Sequence, residues 1–231
     1  GVASLTPDTA ANVRVLADVP SRLQVLVPGE SPAPATQTGK TASNPVTQTA
    51  GQGFDVTANL TDAYWNVVTQ GAMPAVTLTH TDSNVDSWYS ATSTPQFLRT
   101  RSGSLVNGTR TFINVALATA GNSAVFSALD TTQGQPGKYA AYVMQKTVPV
   151  VHEPSAKRLQ TLLPGEVEAP GTVSGKSGAA SGQKVAAPFS VSVYAADTYF
   201  NPITDNPSIT KQVTVTLPDD PNAPAIASAN L

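Results

Sequence analysis

The chain has 231 residues, of which only 12% are charged, and its formal net charge is −2. Such a balance provides no basic field to attract nucleic acid or an anionic membrane surface. The absence of cysteine excludes disulfides, thiolate zinc sites and cysteine nucleophiles, and no apolar run approaches the roughly 20 residues of a membrane span.

Threonine, serine, glycine and proline are abundant in the chain, which has 29 Thr, 20 Ser, 16 Gly and 19 Pro. This mixture favours β-strands separated by many turns and disfavours helices. The length suits two ordinary domains better than one large domain. We therefore predict an all-β protein of two units.

The first predicted element is an N-terminal strand, within a segment that we place at residues 1–21. Residues 11–19 alternate with the period of a β-strand. One face of this strand consists of Val13, Val15, Ala17 and Val19. We interpret the segment as the last strand of a preceding unit, or as a donor strand for assembly with another chain.

A repeated motif begins directly after this segment. Residues 22–30 (RLQVLVPGE) recur as residues 158–166 (RLQTLLPGE), with seven of nine positions identical and an offset of 158 − 22 = 136. Further pairs follow at this offset or one residue shorter: Gly39-Lys40 with Gly175-Lys176, Phe54-Asp55-Val56 with Phe189-Ser190-Val191, and Asp62 and Asn66 with Asp197 and Asn201. Internal similarity of this kind indicates two copies of one unit, which we place at residues 22–157 and 158–231.

Period-two alternation marks the strands of the first copy. One predicted strand has an apolar face of Phe54, Val56, Ala58 and Leu60 opposite a polar face of Asp55, Thr57 and Asn59. Further strands are predicted at about residues 22–27, 75–80, 110–117, 124–129 and 139–151. About seven strands per unit predict a β-sandwich.

The shared motifs resemble a known class of repeats. The opening motif is followed by Gly-Lys, a Phe-x-Val strand and an Asp-x-x-x-Asn-Pro-Ile/Val turn, and this series resembles the tandem immunoglobulin-like repeats of large bacterial secreted and cell-surface proteins. The turn is also similar to that of invasin- and intimin-type domains, although the first copy has Asn66-Val67 in place of Asn-Pro. The resemblance implies tandem immunoglobulin-like β-sandwiches and the role of an extracellular spacer, adhesin or filament module.

The second copy lacks strands that complete the first copy. An open sandwich leaves unpaired strand edges and an uncovered apolar face, which isolated domains avoid. One hypothesis is that the N-terminal strand of one molecule completes the second unit of another, which would give a head-to-tail filament. The alternative is a segment of a longer array, whose missing strands are supplied by the same chain.

Few residues indicate chemistry. His80 and His152 lie in no catalytic or metal-binding motif, and we expect His80 at a solvated turn. Asp82, Asn84 and Asp86 have the one-three-five spacing of a calcium loop, but Ser87 and Ser93 replace its glycine and its bidentate glutamate, so only a weak calcium candidate remains. We predict no enzyme activity, no cofactor and no metal.

Two pairs of polar residues and a few aromatic residues complete the candidates. Asp62 with Asn66 and Asp197 with Asn201 are expected to bond their own turn backbones, as is the Asp219-Asp220 pair. Residues suited to stacking on a sugar are Trp65, Trp88 and Tyr89. They define the alternative function, a carbohydrate-binding or surface-layer-anchoring module, whereas the simpler interpretation of Trp65 is packing at a strand-connecting turn.

The predicted function is therefore structural. We expect a subunit or repeat segment of an extracellular bacterial fibre or adhesin, secreted or held at the cell surface. Its expected partner is another copy in a linear fibre, with a surface glycan or another cell-surface component as a second expected partner.

Overall fold

The computed structural model describes residues 6–9, 13–41, 44–92, 94–134, 137–141, 147–205, 211–217 and 228–230. Asp219 and Asp220 lie outside these residues. The described strands are β1 (Arg22–Leu26), β2 (Gln48–Thr49), β3 (Phe54–Thr61), β4 (Ala75–His80), β5 (Thr100–Ser104), β6 (Thr109–Val115), β7 (Ser123–Asp130), β8 (Ala140–Ala141), β9 (Thr147–Val151), β10 (Arg158–Leu162), β11 (Glu166–Glu168), β12 (Lys176–Gly178), β13 (Ser192–Ala196), β14 (Gln212–Val213) and β15 (Ala229–Asn230). A six-residue 3-10 helix, η1 (Ser83–Trp88), lies between β4 and β5.

Two sheets form the first unit. Their strand orders are β6-β3-β1-β8 and β2-β9-β7-β4-β5. Neighbouring strands are antiparallel except for the β1–β8 and β2–β9 pairs. Side chains from both sheets enclose one buried cluster, whose members include Leu23, Val56, Leu60, Val76, Leu78, Phe112, Phe126 and Val148. The prediction of an all-β, sandwich-like fold is confirmed.

The alternation in β3 predicts its inner face correctly and its outer face only in part. Its four apolar side chains are all buried, and Asp55 is exposed. Asn59, expected on the polar outer face, is only 4% exposed. Its side chain donates to the buried side chain of Gln24 at 2.9 Å and accepts a bond from Thr109. A buried polar group needs such partners. These bonds explain how Asn59 is buried on the face of β3 opposite the apolar side chains.

One predicted strand is wrong, and the prediction omits an edge strand and the helix of the first unit. The described residues of the strand predicted at 139–151 belong to two short strands, β8 and β9, which lie in different sheets. The edge strand β5 and the helix η1 lack the alternation that would reveal them. Among the described residues, no helix combines the length and the apolar character that a membrane crossing requires.

The second unit repeats the first strand pair. β10 pairs with β13, with Arg158 opposite Ala196, as β1 pairs with β3 with Arg22 opposite Thr61. The two offsets are 158 − 22 = 136 and 196 − 61 = 135, those seen in the sequence. Two small sheets, β11-β12 and β14-β15, complete the described part of this unit.

The inner face of the β10-β13 sheet is open. Leu159 is 57% exposed, whereas its equivalent Leu23 is fully buried, and Phe189 is 45% exposed, whereas its equivalent Phe54 is 8% exposed.

Candidate functional site: the joint between the two units

Each unit has the predicted Asp-x-x-x-Asn turn directly after its β3-type strand, and we call residues 62–66 and 197–201 the docking turns. In the second unit, Asp197 accepts the backbone N–H groups of Tyr199 at 2.8 Å and Asn201 at 2.9 Å, and also the Asn201 side-chain amide at 2.8 Å. Asp62 accepts the equivalent three bonds in the first unit. The expectation that these carboxylates bond their own turns is confirmed.

Buried Asp62 is held as a carboxylate. Burial raises its pKa, but hydrogen bonds from the Asn66 side chain and from the N–H groups of Asp18, Asn66 and Tyr64 outweigh burial and lower the pKa below its ordinary value. The turn is therefore fixed by a charged acceptor at neutral pH.

The central aromatic residue of each docking turn packs against its own unit. Trp65 adopts a φ of 70° and is only 2% exposed. The Arg22 guanidinium lies 4.5 Å from its ring centroid, and a Cβ added to Gly39 would overlap the ring. The second unit repeats this arrangement around Phe200, with a guanidinium at 4.6 Å. Trp65 therefore offers no open face for stacking on a sugar.

Asn201 joins the second unit to the first. Its amide oxygen accepts the N–H of Ala120 at 2.8 Å, and its amide nitrogen donates to the carbonyl of Ala118 at 2.9 Å. The Asn201 side chain is 1% exposed. Because buried polar groups are costly when unpaired, separation of the units would leave several donors and acceptors to be resolvated.

Tyr199 lies beside Asn201 and packs into an aromatic pocket on the first unit. Its ring contacts Trp88 edge to face, with centroids 5.0 Å apart, and lies 5.3 Å from the ring of Phe97. The indole N–H of Trp88 donates to the carbonyl of Gly171 in the second unit at 2.6 Å. We call Trp88, Phe97 and the backbone of residues 118–120 the socket.

The calcium candidates Asp82 and Asn84 support the socket. Asp82 caps η1 and accepts the N–H groups of Ala118 at 2.7 Å and Thr119 at 3.0 Å. The Asn84 side-chain amide donates to Thr119 at 2.9 Å and to the carbonyl of Pro170 at 3.2 Å. These bonds fix the backbone of residues 118–120 that Asn201 contacts.

The third calcium candidate has different partners. Asp86 accepts the N–H of Arg99 at 3.0 Å and lies 3.8 Å from its guanidinium. Each of the three candidate ligands is thus engaged with the protein. Across the described part of the chain, no group of three or more His, Cys, Asp or Glu side chains is arranged to hold a metal ion.

The candidate stacking residues Trp88 and Tyr89 lie at the end of η1. Trp88 forms a wall of the socket and is half-buried there, whereas Tyr89 is 48% exposed. Of the three aromatic residues predicted for glycan stacking, Tyr89 thus keeps a substantially open ring. A platform of adjacent parallel faces is not formed by the three.

The two histidines lie in opposite environments. The expectation of a solvated turn at His80 is wrong: it is 5% exposed and packs 5.2 Å from the ring of Phe126, and burial lowers its pKa. His152 lies between the units, with Nε2 2.7 Å from Asp205 and Nδ1 2.6 Å from the carbonyl of Glu153. Burial lowers the pKa of His152, but these contacts outweigh it and raise the pKa overall.

The chain enters both units in the same way. The N–H of Asp18 donates to Asp62 at 3.0 Å, and the N–H of Glu153 donates to Asp197 at 3.1 Å. The offset of the two donors, 153 − 18 = 135, equals that of the two docking turns, 197 − 62 = 135. The segment ahead of the first unit therefore occupies the place that the inter-unit linker occupies ahead of the second.

The predicted assembly strand pairs with no sheet among the described residues. Its members are Val13, Val15, Ala17 and Val19. Val13 and Val15 are each 85% exposed and Val19 is 72% exposed, whereas Ala17 packs against the core of the first unit. At the offset of 135, Val13 and Val15 correspond to Val148 and Val150 of β9, which are buried.

Sequence reasoning did not identify the joint. The recurrence of a tyrosine two residues after each aspartate was the available signal, but its role depends on Phe97 and Trp88, which lie about a hundred residues away in the chain. Comparisons with protein-family models, with curated proteins and with solved structures found no match to this chain.

Proposed function

We propose that this chain is a non-catalytic structural segment of an extracellular bacterial fibre or adhesin, in which immunoglobulin-like units are held in line by docked ends. The observation that carries the proposal is the joint: Asn201 bonds the backbone of the first unit on both sides of Thr119, while Tyr199 is held in the socket. A spacer needs such a joint, because its reach depends on neighbouring units keeping a fixed direction.

The strand order supports the immunoglobulin-like interpretation. The first two strands of the chain belong to different sheets, β1 to the first and β2 to the second. In the second sheet, β9 lies between β2 and β7, and β4 lies on the other side of β7. Immunoglobulin-like sandwiches split their strands between two sheets in a similar order. Repetition of the β1–β3 register as β10–β13 supports units of one kind in series.

Linear assembly is supported by two apolar surfaces. Val13 and Val15 are exposed ahead of the first unit, Leu159 is exposed on β10, and Phe189 is exposed ahead of β13. Addition of the N-terminal strand to the second unit of another copy would cover part of both surfaces. Deletion of residues 1–20 should then shorten the particles seen by electron microscopy, and fibres of unchanged length would contradict strand addition.

The location and the role can be tested on cells. Antibodies raised against the purified chain should label intact, unpermeabilised cells of the source bacterium by immunogold microscopy, on filaments or on the envelope surface. Preimmune serum is the control. Labelling that requires permeabilisation of the cells would contradict the proposal.

A further inference from the structure

The first unit has a docking turn that contacts no socket in the described structure. Tyr64 is 64% exposed, whereas Tyr199 is packed between Trp88 and Phe97. Asn66 is half-buried, whereas its equivalent Asn201 is 1% exposed. The internal fold of the two turns is the same, so the difference lies in what covers them.

The segment that precedes the first unit indicates which kind of structure would cover its docking turn. Asp18 reaches Asp62 as Glu153 reaches Asp197, so residues 13–17 precede the first docking turn as residues 148–152, which include most of β9, precede the second. In β9, Val148 and Val150 fill the core of the sandwich that carries the socket. Exposed Val13 and Val15 therefore have the side chains of a last strand, and they point to a sandwich of the same kind on this side.

We propose, on the basis of the proposed function, that the docking turn of the first unit is a binding surface for the end of a further unit of this repeat, placed ahead of Arg22 in line. The occupant supplies an aromatic pocket for Tyr64 and a backbone N–H and carbonyl pair for the amide of Asn66, as the socket does for Tyr199 and Asn201. Residues 13–19 are the last strand of that unit.

Ala35 restricts which unit end can bind the docking turn of the first unit. Its equivalent in the second unit is Gly171 (171 − 136 = 35), which is buried in the joint, whereas Ala35 is exposed. A Cβ added to Gly171 would lie 2.9 Å from the Cα of Thr119 and would overlap its hydroxyl. A socket identical to the one described therefore excludes Ala35, and the occupant has more room opposite it. The first-unit socket of a second copy is disfavoured as the occupant, because it carries Thr119 and already holds Tyr199.

The experiment uses a tandem protein in which residues 1–152 are joined to residues 18–231, which preserves the spacing of the joint. The second copy of the first unit carries Ala35→Gly, and the first copy carries Tyr64→Phe, so that a single Tyr64 is observed. Nitration by tetranitromethane, followed by mass spectrometry, measures the reactivity of each tyrosine. We expect Tyr64 to lose reactivity to the level of Tyr199 in the same molecule.

Two outcomes overturn the inference. Tyr64 as reactive as in the unmodified 231-residue chain would show that the turn does not dock. A dimer of the unmodified chain in sedimentation that survives deletion of residues 1–20 and is lost with Tyr64→Ala would make the first-unit socket of a second copy the occupant. The nitration of Tyr199 in the same molecule distinguishes these results from a failure of the proposed function. If Tyr199 is reactive, the joint itself is contradicted. If Tyr199 is protected and Tyr64 is reactive, only the inference is contradicted.

The restriction by Ala35 has its own test in the chain as it exists. Gly171→Ala should raise the nitration of Tyr199 towards that of Tyr64, because the added Cβ forces the second unit away from Thr119. The matched control is Gly182→Ala, at a glycine where an added Cβ meets nothing within 4 Å. Tyr199 that stays protected in Gly171→Ala would overturn the restriction.

Discussion

At the residue scale, two buried aspartates organise the molecule. Asp62 and Asp197 are 1% and 0% exposed, and each accepts hydrogen bonds from its own turn and from the segment that enters its unit. The pattern of an aspartate four residues before an asparagine was enough to predict the bonds within the turn. The bond from the entering segment could not be predicted, because it depends on where the preceding strand ends in space.

We expect Asp62→Ala to lower the free energy of unfolding of the first unit by about 2–4 kcal/mol, since three backbone N–H groups and the Asn66 side-chain amide lose a charged acceptor. Urea denaturation followed by tryptophan fluorescence measures this change. The control is Asp8→Ala, which removes an exposed carboxylate and should change stability by no more than about 0.5 kcal/mol. Equal effects of the two substitutions would contradict the role of Asp62.

The histidines give opposite pH dependences. Below pH 6.5, the ordinary histidine pKa, His80 binds a proton in the unfolded chain but stays neutral in the folded chain, where burial lowers its pKa. The free energy of unfolding therefore falls with falling pH, by at most about 1.4 kcal/mol per pH unit. His152 has a raised pKa and stabilises the folded chain at low pH, an effect that is lost as pH rises through that value. His80→Phe should therefore leave a protein that gains stability between about pH 7 and pH 5.5.

Urea denaturation at several pH values measures these slopes. His152→Gln in the same background should remove the remaining gain, which identifies His152 as its source. If the unfolding free energy of His80→Phe depends on pH in the same way as that of the wild type, the loss of stability at low pH does not come from His80.

At the element scale, alternation along the strands carries most of the predictable information. β4 begins and ends where the sequence predicts, because Val76, Leu78 and His80 point into the core and its neighbours point outward. β5 was missed because its TRSGS sequence has no large apolar side chain to mark a face. Helix η1 was missed because its only buried residue is Val85.

The equivalent leucines Leu23 and Leu159 provide a matched test of the open second unit. Leu23→Ala should cost about 2–5 kcal/mol of unfolding free energy, because it creates a cavity in a closed core. Leu159 is 57% exposed in this chain, and Leu159→Ala should cost no more than about 1 kcal/mol. Denaturation curves of both variants test this, and a similar large loss in both would show that the second unit is closed in solution.

At the scale of the whole molecule, the sequence indicates repetition but not the joint. The two copies are recognisable from the RLQ motif onward, yet nothing in either copy alone distinguishes Tyr199, which is docked, from Tyr64, which is exposed. The distinction comes from contacts with Trp88 and Phe97, which the fold brings to the end of the first unit. Such contacts between distant parts of the chain have no local periodicity by which they could be recognised.

The proposed structural role depends most on a joint that holds the units in a fixed direction. The chain has no cysteine, so spin labels can be placed at Ser104→Cys in the first unit and Ser177→Cys in the second, both at exposed positions. Double electron–electron resonance between them should give one narrow distance distribution, which broadens with Tyr199→Ala and stays narrow with the matched Tyr64→Ala. A distribution that is already broad in the wild type, or that Tyr199→Ala leaves unchanged, would contradict the docked joint.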